Sequence, residues 1–102
     1  MNTRYTSGIW LVKKGKEAAF IALWKEFAQW TSKNQPGATG AILSQDSTNP
    51  SRFISFGPWK NETFIQKWRE QPKFGEFIQK ARVLCESIQP TILKPVVQVG
   101  LP

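Results

Sequence analysis

Hydrophobic side chains change their spacing early in the chain, and the change predicts where a strand gives way to a helix. Residues 7–12 form a short run of β-forming side chains that stops at a turn signal around Gly15. From Lys16 the large apolar side chains recur at the i, i+3, i+4 and i+7 positions of a helix. They are Phe20, Leu23, Trp24 and Phe27, followed by Trp30 or Thr31. The pattern predicts a helix of about 16–18 residues, which residues 34–37 end.

The middle of the chain predicts two strands followed by an interrupted helical region. Residues 38–46 and 52–57 are predicted as strands, because a cluster of turn-forming residues separates them. Asn61 is the predicted N-cap of a short helix over 62–70. Since proline breaks helical spacing, a separate and longer helix is predicted after Pro72. Its apolar stripe consists of Phe74, Phe77, Ile78, Ala81, Leu84 and Cys85.

The last part of the chain predicts a final strand. Residues 88–90 are expected to end the helix, and residues 91–99 to form the strand, with Pro95 indicating an edge position or a bulge. The resulting order, β-α-β-β-α-β, predicts an α+β ferredoxin-like fold with a four-stranded antiparallel sheet and helices on one face. A length of 102 residues favours a single domain over residues 1–102.

The predicted strands carry large apolar side chains at consecutive rather than alternate positions. Residues 9–12 read Ile-Trp-Leu-Val, and residues 53–56 and 96–97 show the same feature. Both faces of the sheet are therefore apolar, whereas the helices cover only one of them. An uncovered apolar face is typical of an interface. We expect a second copy of the sheet to cover it, in a homodimer.

The composition excludes several kinds of chemistry. The chain contains no histidine and one cysteine, Cys85, which excludes a histidine-based triad, histidine ligation of a metal and an intrachain disulfide. We expect no metal site. No apolar run reaches the roughly 18 residues of a membrane-spanning helix, and residues 1–6 lack the apolar core of a signal peptide. The expected location is therefore the cytoplasm, with no membrane partner.

The formal net charge of +7 admits two interpretations. A basic domain of this size is typical of nucleic-acid binding, but net charge also keeps small proteins soluble. The basic residues are spread from Arg4 to Lys94, and only Lys13, Lys14 and Lys16 form a cluster. This distribution favours the second interpretation, so nucleic acid is not the expected partner.

The segment from the third strand into the following helices resembles the antibiotic biosynthesis monooxygenase (ABM) family. The residues that carry the resemblance are Phe53-Ile54-Ser55-Phe56-Gly57-Pro58-Trp59, Phe64, Trp68, Phe74 and the segment from Arg82 to Glu86. The resemblance covers residues 7–99. It implies a dimeric α+β barrel, in which the sheets of two subunits join across a homodimer.

The resemblance also implies an activity. Family members include small oxygenases that oxidise polycyclic phenols or quinols with dioxygen, without metal or flavin. The implied function is a cofactor-independent monooxygenase acting on an aromatic phenol or quinol, with no cofactor. Because such a substrate supplies the electron itself, the protein binds it, desolvates it and assists its deprotonation.

A pocket for this chemistry is lined by aromatic side chains with few polar groups. The expected substrate-binding residues are Trp10, Trp24, Phe27, Phe64, Trp68 and Phe77. The catalytic candidates are Trp68, Asn61 and Arg82, and Arg69 is a further polar candidate. Two of these candidates also have an ordinary structural interpretation, Trp68 as a core aromatic and Arg82 as a solvated cation. Cys85, the single cysteine, is interpreted as a small buried apolar side chain.

Three alternatives follow from the same sequence. A haem-degrading branch of the family uses Asn, Trp and His; Trp68 matches, but Gly8 and Ile78 occupy the other two positions, so this activity is not expected. A non-catalytic dimeric module that binds or senses a planar aromatic ligand fits the same fold. An RNA-recognition-like domain shares the element order, but the basic-Gly start of its RNP1 motif is missing before Phe53.

Overall fold

A computed structural model describes residues 3–100, which form four strands and three helices. In chain order these elements are β1 (Arg4–Val12), α1 (Glu17–Asn34), β2 (Ile42–Gln45), β3 (Arg52–Trp59), α2 (Glu62–Arg69), α3 (Pro72–Leu84) and β4 (Cys85–Leu93). The strands form one sheet in the order β2-β3-β1-β4, and every neighbouring pair is antiparallel. The predicted α+β ferredoxin-like class is confirmed.

The ends of α2 and α3 follow from local chemistry. The side-chain oxygen of Asn61 accepts a hydrogen bond from the Phe64 N–H at 3.1 Å, which confirms Asn61 as the N-cap of α2. Pro72 occupies the first turn of α3, where its missing N–H is not needed. The helical region is therefore divided in two, as the sequence predicts.

The predicted final strand is wrong in position. α3 ends at Leu84 and β4 begins at Cys85, so residues 94–99 lie beyond the strand. The error has a physical cause, because a register shift places one extra residue in β4 between the partners of Leu11 and Val12. Because of this bulge, Cys85 and Ile88 lie on the same side of the strand although they are three residues apart. A spacing of three between apolar residues is typical of a helix, so the sequence pattern favoured the wrong element. Pro90 belongs to this edge strand.

The two faces of the sheet differ in what covers them. The helices pack on the face that carries Trp10, Val12 and Phe53, all of them buried. These side chains join residues of α1, α3 and β4 in one core cluster, which also contains Phe20, Phe27, Phe77, Ala81 and Cys85. The rings of Phe27 and Phe77 stack with their centroids 4.2 Å apart, which fixes α1 against α3.

The opposite face, here called the open face, carries no helix. It presents Tyr5, Ile9, Leu11, Ile42, Ile54, Phe56 and Leu93. Phe56 is 44% exposed and Ile42 is 64% exposed, although the rings of Tyr5 and Phe56 stack at 4.9 Å. The sheet is therefore apolar on both faces, as the consecutive apolar positions predict.

Replacing Gly37 with alanine is expected to lower the free energy of unfolding by about 1–3 kcal/mol. Gly37 is buried in the turn after α1, and a Cβ there would overlap the Cβ and ring of Phe64 at the start of α2. Urea unfolding measures the effect. Gly75→Ala is the control, since a Cβ at this position meets nothing within 4 Å. Because Gly75 lies within α3, alanine there is not expected to lower the stability. Equal stabilities of the two variants would contradict this packing.

Candidate functional site

A cavity of about 320 Å³ lies between the helices and the sheet. All three helices line it, together with β1, β3, Pro90 of β4 and the loop that follows α1. A volume of this size is within the range of pockets that hold small organic ligands. We therefore take the cavity as the candidate functional site.

Aromatic rings are prominent in the cavity wall. Five of the six expected substrate-binding residues line it: Trp10, Trp24, Phe27, Trp68 and Phe77. Trp59 and Phe74 line it as well, and both contact the Trp68 ring, with centroid distances of 4.9 and 4.8 Å. Because Trp68 also stacks on Phe27 at 5.6 Å, its ring is held from several sides.

Each of three tryptophans in the wall donates its indole N–H to a hydroxyl oxygen. Trp10 Nε1 donates to Ser55 Oγ at 2.9 Å, and Trp68 Nε1 donates to Thr31 Oγ1 at 3.0 Å. Trp59 Nε1 donates to Thr6 Oγ1 at 3.2 Å. An indole has one donor and no acceptor, so these tryptophans offer a ligand their ring surfaces and not their N–H groups.

The hydroxyls of Ser55 and Thr31 keep a donor of their own. Each accepts an indole N–H, and neither O–H has an acceptor among the described residues. The sequence interpretation placed Thr31 on the apolar stripe of the helix but assigned neither side chain to the site. Strand alternation could have indicated Ser55, because it lies between Phe53 and Gly57 on the helix-covered side of β3.

Gly8 in β1 is required by the conformation of Trp10. A Cβ at Gly8 would lie 2.8 Å from Trp10 Nε1 and 2.9 Å from Ser55 Oγ, so any larger residue would disturb that hydrogen bond. Gly8 is the position at which the haem-degrading branch of the family is expected to have asparagine. The Trp10 indole thus occupies space that an asparagine side chain would need, and apolar Ile78 lines the cavity.

Three expected site residues lie outside the cavity lining. Asn61 caps α2, and Phe64 packs against Gly37 at the start of the same helix. Arg82 is exposed on α3 and lines a separate depression that also includes Cys85 and Pro90. Of the three catalytic candidates, only Trp68 lines the cavity.

The charged residues in the lining are all cations. Lys25 of α1 and Arg69 at the end of α2 line the cavity, and no aspartate or glutamate does so within the described part of the chain. The protein contains no histidine. The site therefore has hydrogen-bond donors and positive charge, but no side chain suited to accept a proton near neutral pH.

Cys85 does not line the cavity. Burial raises the pKa of its thiol above the ordinary value, which disfavours the reactive thiolate. No group of three histidine, cysteine or carboxylate side chains that could hold a metal ion occurs in residues 3–100. None of the helices in that range is long and apolar enough to cross a membrane.

Comparison with known proteins identifies the family. Residues 9–80 match the ABM family, antibiotic biosynthesis monooxygenase, and the chain belongs to that family. An uncharacterized protein of Synechocystis sp., sll1783, is 31% identical over 70 residues, which are 69% of this chain and 47% of that protein. The chain thus spans about half the length of this curated relative.

The fold is shared with solved structures. Two crystal structures of SnoaB, a cofactor-independent oxygenase from Streptomyces nogalater, superpose with TM-scores of 0.90 and 0.89 at 15% identity, covering 99% of this chain and 100% of SnoaB. Rv0793 from Mycobacterium tuberculosis superposes with a TM-score of 0.84 at 13% identity, covering 97% of this chain and 100% of that one. At these identities the likeness concerns the fold.

Thr31→Val is expected to lower the free energy of unfolding by about 1–3 kcal/mol, because the Trp68 N–H loses its acceptor while the volume at residue 31 is kept. Thr31→Ser is the control, since it retains the oxygen. Denaturant unfolding of Thr31→Val, Trp68→Phe and the double variant gives the coupling energy. If the two single effects add without coupling, the hydrogen bond does not contribute to stability.

Proposed function

We propose that the protein is a cofactor-independent monooxygenase that oxidises an aromatic phenol or quinol in the cavity between the sheet and the helices. The observation that carries the proposal is the cavity itself: tryptophan and phenylalanine rings line it, and three of its four tryptophans donate their indole N–H to a protein hydroxyl. Such a wall binds a planar ring by its faces. Membership of the ABM family supports the oxygenase class.

In the proposed reaction the substrate supplies the electrons. With an anthrone, the ring anion transfers one electron to O₂, and the radical and superoxide combine to form a carbon–oxygen bond. Loss of water from the resulting hydroperoxide gives the quinone. The balance is one anthrone and one O₂ consumed, with one anthraquinone and one water formed. The contribution of the protein is to bind the ring, exclude water and stabilise the anion.

One feature of the cavity favours a second candidate, a non-catalytic module that binds or senses a planar aromatic ligand. Within the described residues, no carboxylate lines the cavity to act as a general base. Ligand binding without turnover would have the same aromatic wall. Quenching of tryptophan fluorescence without product formation supports this candidate, and product formation excludes it.

Ala28→Leu is expected to lower the rate of oxygen uptake at least about tenfold, which corresponds to about 1.4 kcal/mol of transition-state stabilisation. Ala28 lines the cavity, so the larger side chain occupies space that the substrate needs. An oxygen electrode and quinone absorbance follow a panel of anthrones and quinols. Ala22→Leu is the control, because Ala22 is exposed on the same helix. Uptake that is unchanged in Ala28→Leu would count against this cavity as the site.

The homodimer is part of the same proposal, with the open faces of two copies packed together. Each of the four strands contributes at least one large apolar or aromatic side chain to the open face, and exposed apolar surface of this kind is typical of an interface. Val96, Val97 and Val99, which follow β4, are each more than 80% exposed in one copy. Pairing of two copies provides cover for the sheet and a neighbour for these valines.

Ile54→Lys is expected to convert the dimer into a monomer, because it places a charge in the open face that pairing would bury. Light scattering measures the mass, which we expect to fall from twice 11.6 kDa to 11.6 kDa. Val83→Lys is the matched control, since Val83 is a 70% exposed apolar residue on α3, away from the sheet. A monomeric wild-type protein at micromolar concentration would reject the homodimer.

A further inference from the structure

We infer that Arg69 is a ligand-binding residue: its unpaired guanidinium holds the oxygen of a phenolate or enolate ligand in the cavity. The inference rests on the proposed function for the aromatic nature of the ligand and for its reaction as an anion. It adds the residue that recognises the anion.

Arg69 has no structural partner. Its side chain lines the cavity and is half-buried, and its Nε is buried with no hydrogen-bond acceptor. Within residues 3–100 its guanidinium forms no ion pair, whereas Arg4 and Arg52 lie 3.5 and 3.2 Å from the carboxylates of Glu62 and Asp46. Leaving a buried donor unpaired costs free energy. The fold therefore gains no ion pair from Arg69, and an anionic ligand would supply the missing partner.

The groups around Arg69 favour an anion as well. Lys25, on α1 across the cavity, adds a second positive charge to the lining. The nearest acids along the helices do not contribute to the wall: Glu26 is paired with Lys73 at 3.7 Å, and Glu70 is exposed. The free hydroxyl donors of Ser55 and Thr31 are complementary to an acceptor oxygen.

The described lining offers a bound phenol positive charge but no anionic acceptor for its O–H group, since no carboxylate or histidine lines this cavity. Two nearby cations lower the pKa of a bound phenol, since they stabilise the negative charge on its oxygen. The proton then leaves to solvent, and the ring remains in the electron-rich form that reacts with O₂.

Alizarin (1,2-dihydroxyanthraquinone) is a suitable probe. It is planar and already oxidised, so binding is measured without turnover, and its visible colour reports whether its hydroxyl group is ionised. We expect the bound dye to be ionised at a pH where the free dye is neutral, and to bind more tightly than 1,2-dimethoxyanthraquinone. Tryptophan quenching gives the two dissociation constants.

Arg69→Met is expected to weaken alizarin binding about tenfold to a hundredfold, as for loss of a charge-assisted hydrogen bond, and to abolish the colour shift. Arg69→Lys should retain part of both. Lys67→Met is the control, because it removes one positive charge from an exposed position on the same helix. Circular dichroism checks folding, and the colour shift of the wild-type protein tests the inference without any variant.

Two results overturn the inference. One is failure of the wild-type protein to bind alizarin in ionised form; the other is equal binding by Arg69→Met and Lys67→Met. Either result leaves the oxygen-uptake assay on anthrones and quinols unaffected, so failure of this inference is distinguishable from failure of the proposed function.

Discussion

A buried indole N–H must find an acceptor, and much of the cavity is organised by three such groups. The acceptors are side-chain hydroxyls on neighbouring strands or on α1: Thr6, Thr31 and Ser55. These hydrogen bonds hold each ring at a fixed angle to the sheet. Gly8 is a consequence, because the Trp10–Ser55 hydrogen bond occupies the space above it.

The same arrangement determines what the site offers a ligand. With three of the four indole donors occupied, those rings are apolar surfaces, and the polar groups of the lining include the hydroxyls of Ser55 and Thr31, the amide of Gln29 and two cations. A site with donors and no base can stabilise an anion but cannot remove a proton from a distant carbon by itself. This limits the proposed oxygenase to substrates acidic enough to ionise when bound, which phenols and anthrones are.

The sequence predicts most of the fold because the apolar spacing and the helix signals agree. Asn61 and Pro72 mark helix starts by chemistry that depends only on neighbouring residues. The β4 error arises where tertiary pairing decides the structure, since a bulge opposite Leu11 and Val12 gives the strand a helix-like spacing. Five of the six aromatic candidates line the cavity, because large apolar rings are buried in this interior, but their role in substrate binding stays a prediction. Arg69 could not be separated from Arg82 by sequence, because whether an arginine has a carboxylate partner depends on long-range packing.

The positive charge of the chain raises the question of whether an anion would be drawn by the whole surface or by one residue. Charges separated by more than about 8–10 Å in solution are largely screened at physiological ionic strength, so most of the net +7 contributes little inside the cavity. A guanidinium in the wall acts at hydrogen-bond distance and in a less polar medium, where the same interaction is several times stronger. Recognition of an anionic ring therefore depends on the local cation, while the overall charge affects the rate of encounter.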